Sequence, residues 1–111
     1  MADLTALYDE ADRLKDEGQY ESAIEKLNAL LEEDDNYVLA HLALAVLLGR
    51  VGRHEEAVRH GRKACELEPE DAFNFTAMSV TYQQAFAATQ NREYIPLAEE
   101  AMAKARTLQF G

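Results

Sequence analysis

The sequence predicts an all-α fold built from antiparallel helix hairpins. Three observations carry that expectation. Apolar residues recur at spacings of three and four along most of the chain, which places them on one face of a helix. Period-two alternation and clusters of β-branched residues are absent, so no strand signal competes. Glycine, proline and acidic clusters punctuate the apolar stretches where short turns between helices would fall.

The elements follow in order. Leu4, Leu7, Tyr8, Ala11 and Leu14 mark a first helix, with Asp3 suited to cap its start and Gly18 to stop its end. Tyr20, Ala23, Ile24, Leu27, Leu30 and Leu31 mark a second, which runs to the polar cluster Glu32, Glu33, Asp34, Asp35 and Asn36. Tyr37 to Gly52 is apolar on nearly every side, with only His41 and Arg50 as polar side chains, so this central helix is expected to be covered by its neighbours. Its apolar run from Val38 to Leu48 is broken by His41 and is shorter than the roughly 20 residues that cross a bilayer. His54 to Leu67 predicts a fourth helix carrying Ala57, Val58, Ala64, Cys65 and Leu67 inward, ended by Glu68, Pro69, Glu70 and Asp71.

At 111 residues the chain suits one domain that buries roughly two thirds of its unfolded surface. One cysteine, Cys65, excludes an internal disulfide, and the N-terminus lacks a basic and apolar leader, so the cytoplasm is the expected compartment. The net charge of −10 argues against nucleic acid and membrane as partners, since both are held by clustered Lys and Arg. The acidity is concentrated. Met1 to Tyr37 holds twelve Asp and Glu against three Lys and Arg, whereas Ala72 to Gly111 is balanced at three against three. A solvated acidic face explains this, and so does a surface that steers a basic partner.

The first two hairpins repeat each other. Ala11 and Ala45, Leu14 and Leu48, Gly18 and Gly52, Tyr20 and His54, Ala23 and Ala57, and Asp35 and Pro69 all stand 34 residues apart. A helical hairpin with that period is the mark of a solenoid. On these residues the chain resembles the tetratricopeptide repeat family. Its pattern is met in the second copy by His41, Leu44, Ala45, Leu48, Ala57, Gly61 and Pro69, and in the first by Leu7, Ala11, Leu14, Ala23 and Leu27, with departures at Glu10 and Asp35. The small residues matter because paired helices approach closely there.

A third copy opens with Phe75, Met78, Ser79 and Tyr82, but its second half fits as Ala98, Met102, Ala105 and Leu108, seven residues later than the period demands. Seven residues is about two helical turns, so a lengthened helix from near Asp71 to Ala88 is expected, with a loop over Thr89 to Arg92 and Pro96 in the opening turn of the last helix. The resemblance then implies a right-handed superhelical solenoid of three hairpins, six helices in all, with repeats at about 4–37, 38–71 and 72–109. The family often adds a solvating helix after its last hairpin. Here Glu99, Glu100, Lys104 and Arg106 are expected to face water and close the stack instead.

The resemblance also implies a function, since this family holds peptide segments of partner proteins on the concave side lined by the first helix of each hairpin. The corresponding positions are Tyr8, Asp12 and Lys15 in the first hairpin, Leu39, Leu42, Val46 and Arg50 in the second, and Phe73, Thr76, Val80 and Gln83 in the third. One branch of the family clamps a C-terminal carboxylate with paired Lys, Asn and Arg. Tyr8, Asp12, Leu42, Val46 and Thr76 stand at those places here, so the expected ligand is an apolar or amphipathic segment with basic flanks. The chain is thus expected to be a protein-binding module or scaffold. A self-assembling subunit that stacks through its terminal hairpin faces is the alternative.

Chemistry is not expected. His54 and His60 are six apart and His60 and Cys65 five, so neither pair shares a helical face as metal ligation would want. His41 reads as a packing residue and Cys65 as an inert core thiol despite the nearby Lys63. The carboxylates Glu32 to Asp35 lack the spacing and central glycine of a calcium loop, and no phosphate loop or nucleophile elbow occurs. No cofactor, metal or enzymatic activity is expected.

Overall fold

In the computed structural model, which describes residues 3–111, six α-helices follow one another and the described residues contain no strand. They are α1 (Leu4–Asp16), α2 (Tyr20–Glu33), α3 (Val38–Arg50), α4 (His54–Leu67), α5 (Ala72–Thr89) and α6 (Tyr94–Phe110). Asp3 caps α1 by accepting from the backbone N–H groups of Thr5 at 3.1 Å and Ala6 at 3.3 Å. Asp71 does the same for α5, accepting from the N–H of Phe73 at 3.0 Å. Each carboxylate takes up donors that the first helical turn leaves open and places negative charge at the positive end of the helix.

The turns inside the first two hairpins are copies. Gly18 and Gly52 adopt φ of 79° and 85°, and the N–H of the following residue reaches back to Leu14 or Leu48 at 2.8 Å in both. A side chain would crowd the backbone in this left-handed conformation, which is why glycine recurs there. In the third hairpin the same conformation falls on Gln90, with φ of 62°. The extra length resides in α5, which has 18 residues against 13 in α1 and α3. Pro96 is the third residue of α6, where its missing N–H breaks no helical bond.

The hairpins stack into an all-α helical-repeat solenoid. Each pair α1–α2, α3–α4 and α5–α6 packs along its length, α2 lies against α3, and α4 against α5. One apolar cluster joins Ala11 and Leu14 to Leu27 and Leu30 of α2, Leu44, Leu47 and Leu48 of α3, and Ala57 of α4. A second joins Val58 and Cys65 to Met78, Tyr82 and Ala85 of α5 and Ala98 and Ala101 of α6. Along α6 the buried residues are the alanines 98, 101 and 105, which let it lie close on α5. Glu99, Glu100, Lys104 and Arg106 all face water on its outer side.

Between the two clusters the repeats fill equivalent space in different ways. A Cβ added to Gly61 would stand 2.7 Å from Met78 Sδ, so the methionine occupies the room a side chain there would need. Leu27 holds the equivalent position 34 residues earlier and is buried. Bulk is carried by α2 at the first junction and by α5 at the second. Backbones also approach each other between α3 and α5.

The expectation that neighbours cover the central helix on all sides is corrected. Leu44, Leu47 and Leu48 are fully buried, but Leu39 is 53% and Val46 50% exposed. A solenoid has helices beside and behind each inner helix and none in front, so one face of α3 stays open.

His41 is buried as a packing residue should be, and it does more than pack. Its Nδ1 lies 3.0 Å from Nδ1 of His60 on α4, and its Nε2 lies 2.7 Å from the carbonyl oxygen of Asp35 in the preceding turn. The rings are tilted by 32° to one another, with centroids 5.2 Å apart. A carbonyl only accepts, so in the neutral pair His41 donates from Nε2 and its Nδ1 accepts from His60. This ties α3, α4 and the α2–α3 turn together. Burial, then the charges of His41 and Arg59, hold His60 below the ordinary histidine value of 6.5, against the opposing pull of Glu56 and Asp35.

Three outcomes follow from these contacts. Replacing Gly61 with Leu forces Met78 out and lowers stability by roughly 2 kcal/mol, read from the urea midpoint. Gln90→Gly relieves the left-handed backbone and raises stability by about 1 kcal/mol in the same assay. The unfolded chain takes up a proton at His60 before the folded one does. Thermal stability therefore falls as the pH is lowered through the ordinary histidine value of 6.5, and His60→Gln, which keeps a donor but does not titrate, flattens that slope.

Candidate peptide-binding groove

The open faces of α1, α3 and α5 form a trough. Between α1 and α3 lies a cavity of about 230 Å³ floored by the buried Ala11, Leu27 and Leu47. Tyr8, Asp12 and Lys15 stand on its α1 side, Leu39, Leu42 and Val46 on its α3 side, and Phe73 of α5 also borders it. Between α3 and α5 a second concavity is bordered by Leu42, Val46 and Arg50 and by Phe73, Thr76, Val80 and Gln84, with Gly61 and Met78 beneath. Leu42, Val46 and Phe73 border both, so the two are continuous.

Ten of the eleven groove residues named from the sequence therefore lie together on this face. Gln83 does not. It turns to the outer side of the last hairpin, beside Phe86 and Ile95, and its Nε2 donates to Ser79 Oγ at 3.1 Å. Gln84 takes the groove position, because one residue along a helix rotates the side chain by about 100°. The repeat itself holds the signal, since Gln84 is 34 residues after Arg50, just as Val80 follows Val46 and Phe73 follows Leu39. Ala43 and Ala77, which also line the trough, were missed because alanines look alike on either face.

The trough is apolar along its middle and charged at its edges. Leu39, Val46, Phe73 and Val80 are 53%, 50%, 65% and 45% exposed. On the α1 edge Lys15 Nζ lies 2.9 Å from Asp12 and 3.9 Å from Asp16, and the hydrogen bond to Asp12 raises the Lys15 pKa. Burial first, and then the charge of Asp12, raises the Tyr8 hydroxyl above its ordinary value. Tyr8 packs against Tyr37 with ring centroids 6.1 Å apart. At the other end Arg50 donates to the Tyr20 hydroxyl at 3.1 Å and covers that ring at 5.6 Å, which holds its guanidinium at the rim.

Other reactive groups are accounted for by structure. Cys65 is buried, its Sγ 3.5 Å from the Asn74 carbonyl, and desolvation pushes its thiol up to about 11. Lys63, which might have activated it, lies 3.9 Å from Asp35 instead. Asn74 Nδ2 donates to the carbonyls of Ala64 at 3.3 Å and Glu68 at 3.4 Å, closing the end of α4. Among the described residues no three His, Cys, Asp or Glu side chains are grouped to hold a metal, and no helix is long and apolar enough to cross a membrane.

Stacked helix hairpins with an open inner face define a helical-repeat protein of the α-solenoid class. Residues 4–109 match the model of the Psidin N-terminal TPR repeats region, and the chain belongs to that family. No curated protein is significantly similar to it in sequence. Among solved structures it resembles YrrB, described as a TPR protein with an unusual peptide-binding site, at 26% identity and a TM-score of 0.79 over 98% of this chain. It spans 53% of that chain, about half its length. The second TPR of Spaghetti (RPAP3), bound to the HSP90 peptide SRMEEVD, shares the fold at 20% identity and a TM-score of 0.72, over 96% of this chain and 89% of that one.

The state of Cys65 has a direct readout. The raised thiol lowers the thiolate fraction about 100-fold relative to an ordinary cysteine, so an aromatic disulfide reagent near neutral pH reacts at least that much more slowly with the folded protein than in urea.

Proposed function

We propose that the trough over α1, α3 and α5 binds an extended or helical segment of a partner protein, making the chain an interaction module. The observation that carries this reading is the row of exposed apolar side chains, Leu39, Val46, Phe73 and Val80, on one concave face. Such a contiguous patch costs solvation free energy unless something covers it. Support comes from the relatives: one is described by its peptide-binding site and the other is bound to a peptide. The tetratricopeptide-repeat fold is in general used for interaction and not for catalysis.

The chemistry of the rim argues about the ligand. SRMEEVD carries three acidic residues. In this chain the α1 wall of the groove presents Asp12 beside Lys15, and the α3 wall opposite presents leucine and valine. An acidic tail would meet a like charge and gain no cationic clamp. An apolar or amphipathic segment suits the trough better.

A second reading rests on the outer face of the last hairpin. Phe86, Ile95 and Met102 are half-buried around a shallow concavity there, a surface on which a second copy of the chain could stack. Light scattering over a concentration series separates the two readings, because stacking raises the mass with concentration and peptide binding does not.

The decisive variant is the double substitution Leu42→Glu and Val46→Glu. Both side chains face the trough, so circular dichroism stays helical while capture of partner chains from the source cell is lost. Unchanged capture would retire the groove.

A further inference from the structure

We propose that the cleft between α1 and α3 is an anchor pocket for one apolar side chain of the bound segment, and that the α1 rim selects a lysine or arginine next to that anchor. This rests on the groove reading above and assigns the chemistry of its ligand.

The two halves of the trough differ. The half between α3 and α5 mixes the apolar Val46, Phe73 and Val80 with Arg50, Thr76, Thr81 and Gln84. The half between α1 and α3 has a floor of Ala11, Leu27 and Leu47, and its charged groups, Asp12 and Lys15, all stand on the α1 side. Its volume of about 230 Å³ is below the range of pockets for whole small molecules, and suits a single side chain of leucine or phenylalanine size. Leu27, at the place of Gly61 in the next repeat, closes its bottom with apolar carbon.

Charge sets what stands beside the anchor. Among the described residues Lys15 is the one cation lining the cleft, and it is shared between Asp12 at 2.9 Å and Asp16 at 3.9 Å. Burial first, and then Asp12 and more weakly Asp9 against the opposing Lys15, raise the Tyr8 hydroxyl on the same edge. The edge therefore carries a surplus of carboxylate, while the facing wall of Leu39, Leu42 and Val46 carries no charge. A guanidinium or ammonium from the ligand takes Asp12, leaving Lys15 to Asp16. An acidic residue in that place meets repulsion with no compensating donor on the other wall.

The test pans a phage-displayed library of random dodecapeptides on the intact protein, then measures the enriched peptide by fluorescence anisotropy. The expected consensus places Leu, Met or Phe next to Arg or Lys. Ala43→Phe fills the cleft from the α3 side, and Asp12→Lys reverses the rim on an exposed position that folding does not depend on. Each lowers affinity about tenfold or more, with the helical circular dichroism signal retained. If Leu42→Glu with Val46→Glu abolishes binding while Ala43→Phe and Asp12→Lys leave it unchanged, the groove stands and the anchor pocket is overturned. A consensus rich in Asp or Glu overturns the rim selection. If the panning enriches nothing, or none of these variants matters, the anchor falls together with the groove.

Discussion

The structure depends on α3 being apolar toward two environments at once. Toward its neighbours it buries Leu44, Leu47 and Leu48, which knit α1 and α2 to the second hairpin. Toward the open side it leaves Leu39 and Val46 in water. The first set is demanded by stability, because a solenoid has no closed core and each hairpin is stable only through the next. The second set is about half exposed, and a contiguous apolar patch of this kind is costly in solvent.

Small residues decide how closely the helices approach and therefore how the trough is shaped. Ala11, Ala23, Ala45 and Ala57 bring paired helices together, and Gly61 yields its space to Met78. Leu27 at the equivalent place keeps its own bulk and is buried. The His41–His60 contact adds a polar tie across the same region, fixed at its far end by the Asp35 carbonyl. Such a part-buried pair is favourable only while both members find partners, so protonation of His60 weakens the second hairpin.

Much of this was legible in the sequence. Helix positions, the capping role of Asp3, the left-handed glycines 18 and 52, and the longer α5 all follow from local chemistry and the 34-residue register. The trough was legible to the extent that repeat spacing could be followed residue by residue, and Gln83 shows what happens one step off that register. The His41–His60 bond was not legible, since the two lie 19 residues apart on different helices and neither has a motif. Nor was the role of Asn74, whose amide closes the end of a helix that precedes it.

What the sequence determined by itself was the set of helices and the order of their turns, because propensity, capping and apolar period act within a turn or two of chain. It also determined which residues are equivalent between repeats. Only the tertiary structure decided which apolar residues of α3 are buried and which are open. Leucines and valines are chemically alike on both faces, and the rotation of a helix is set by the neighbours it packs against.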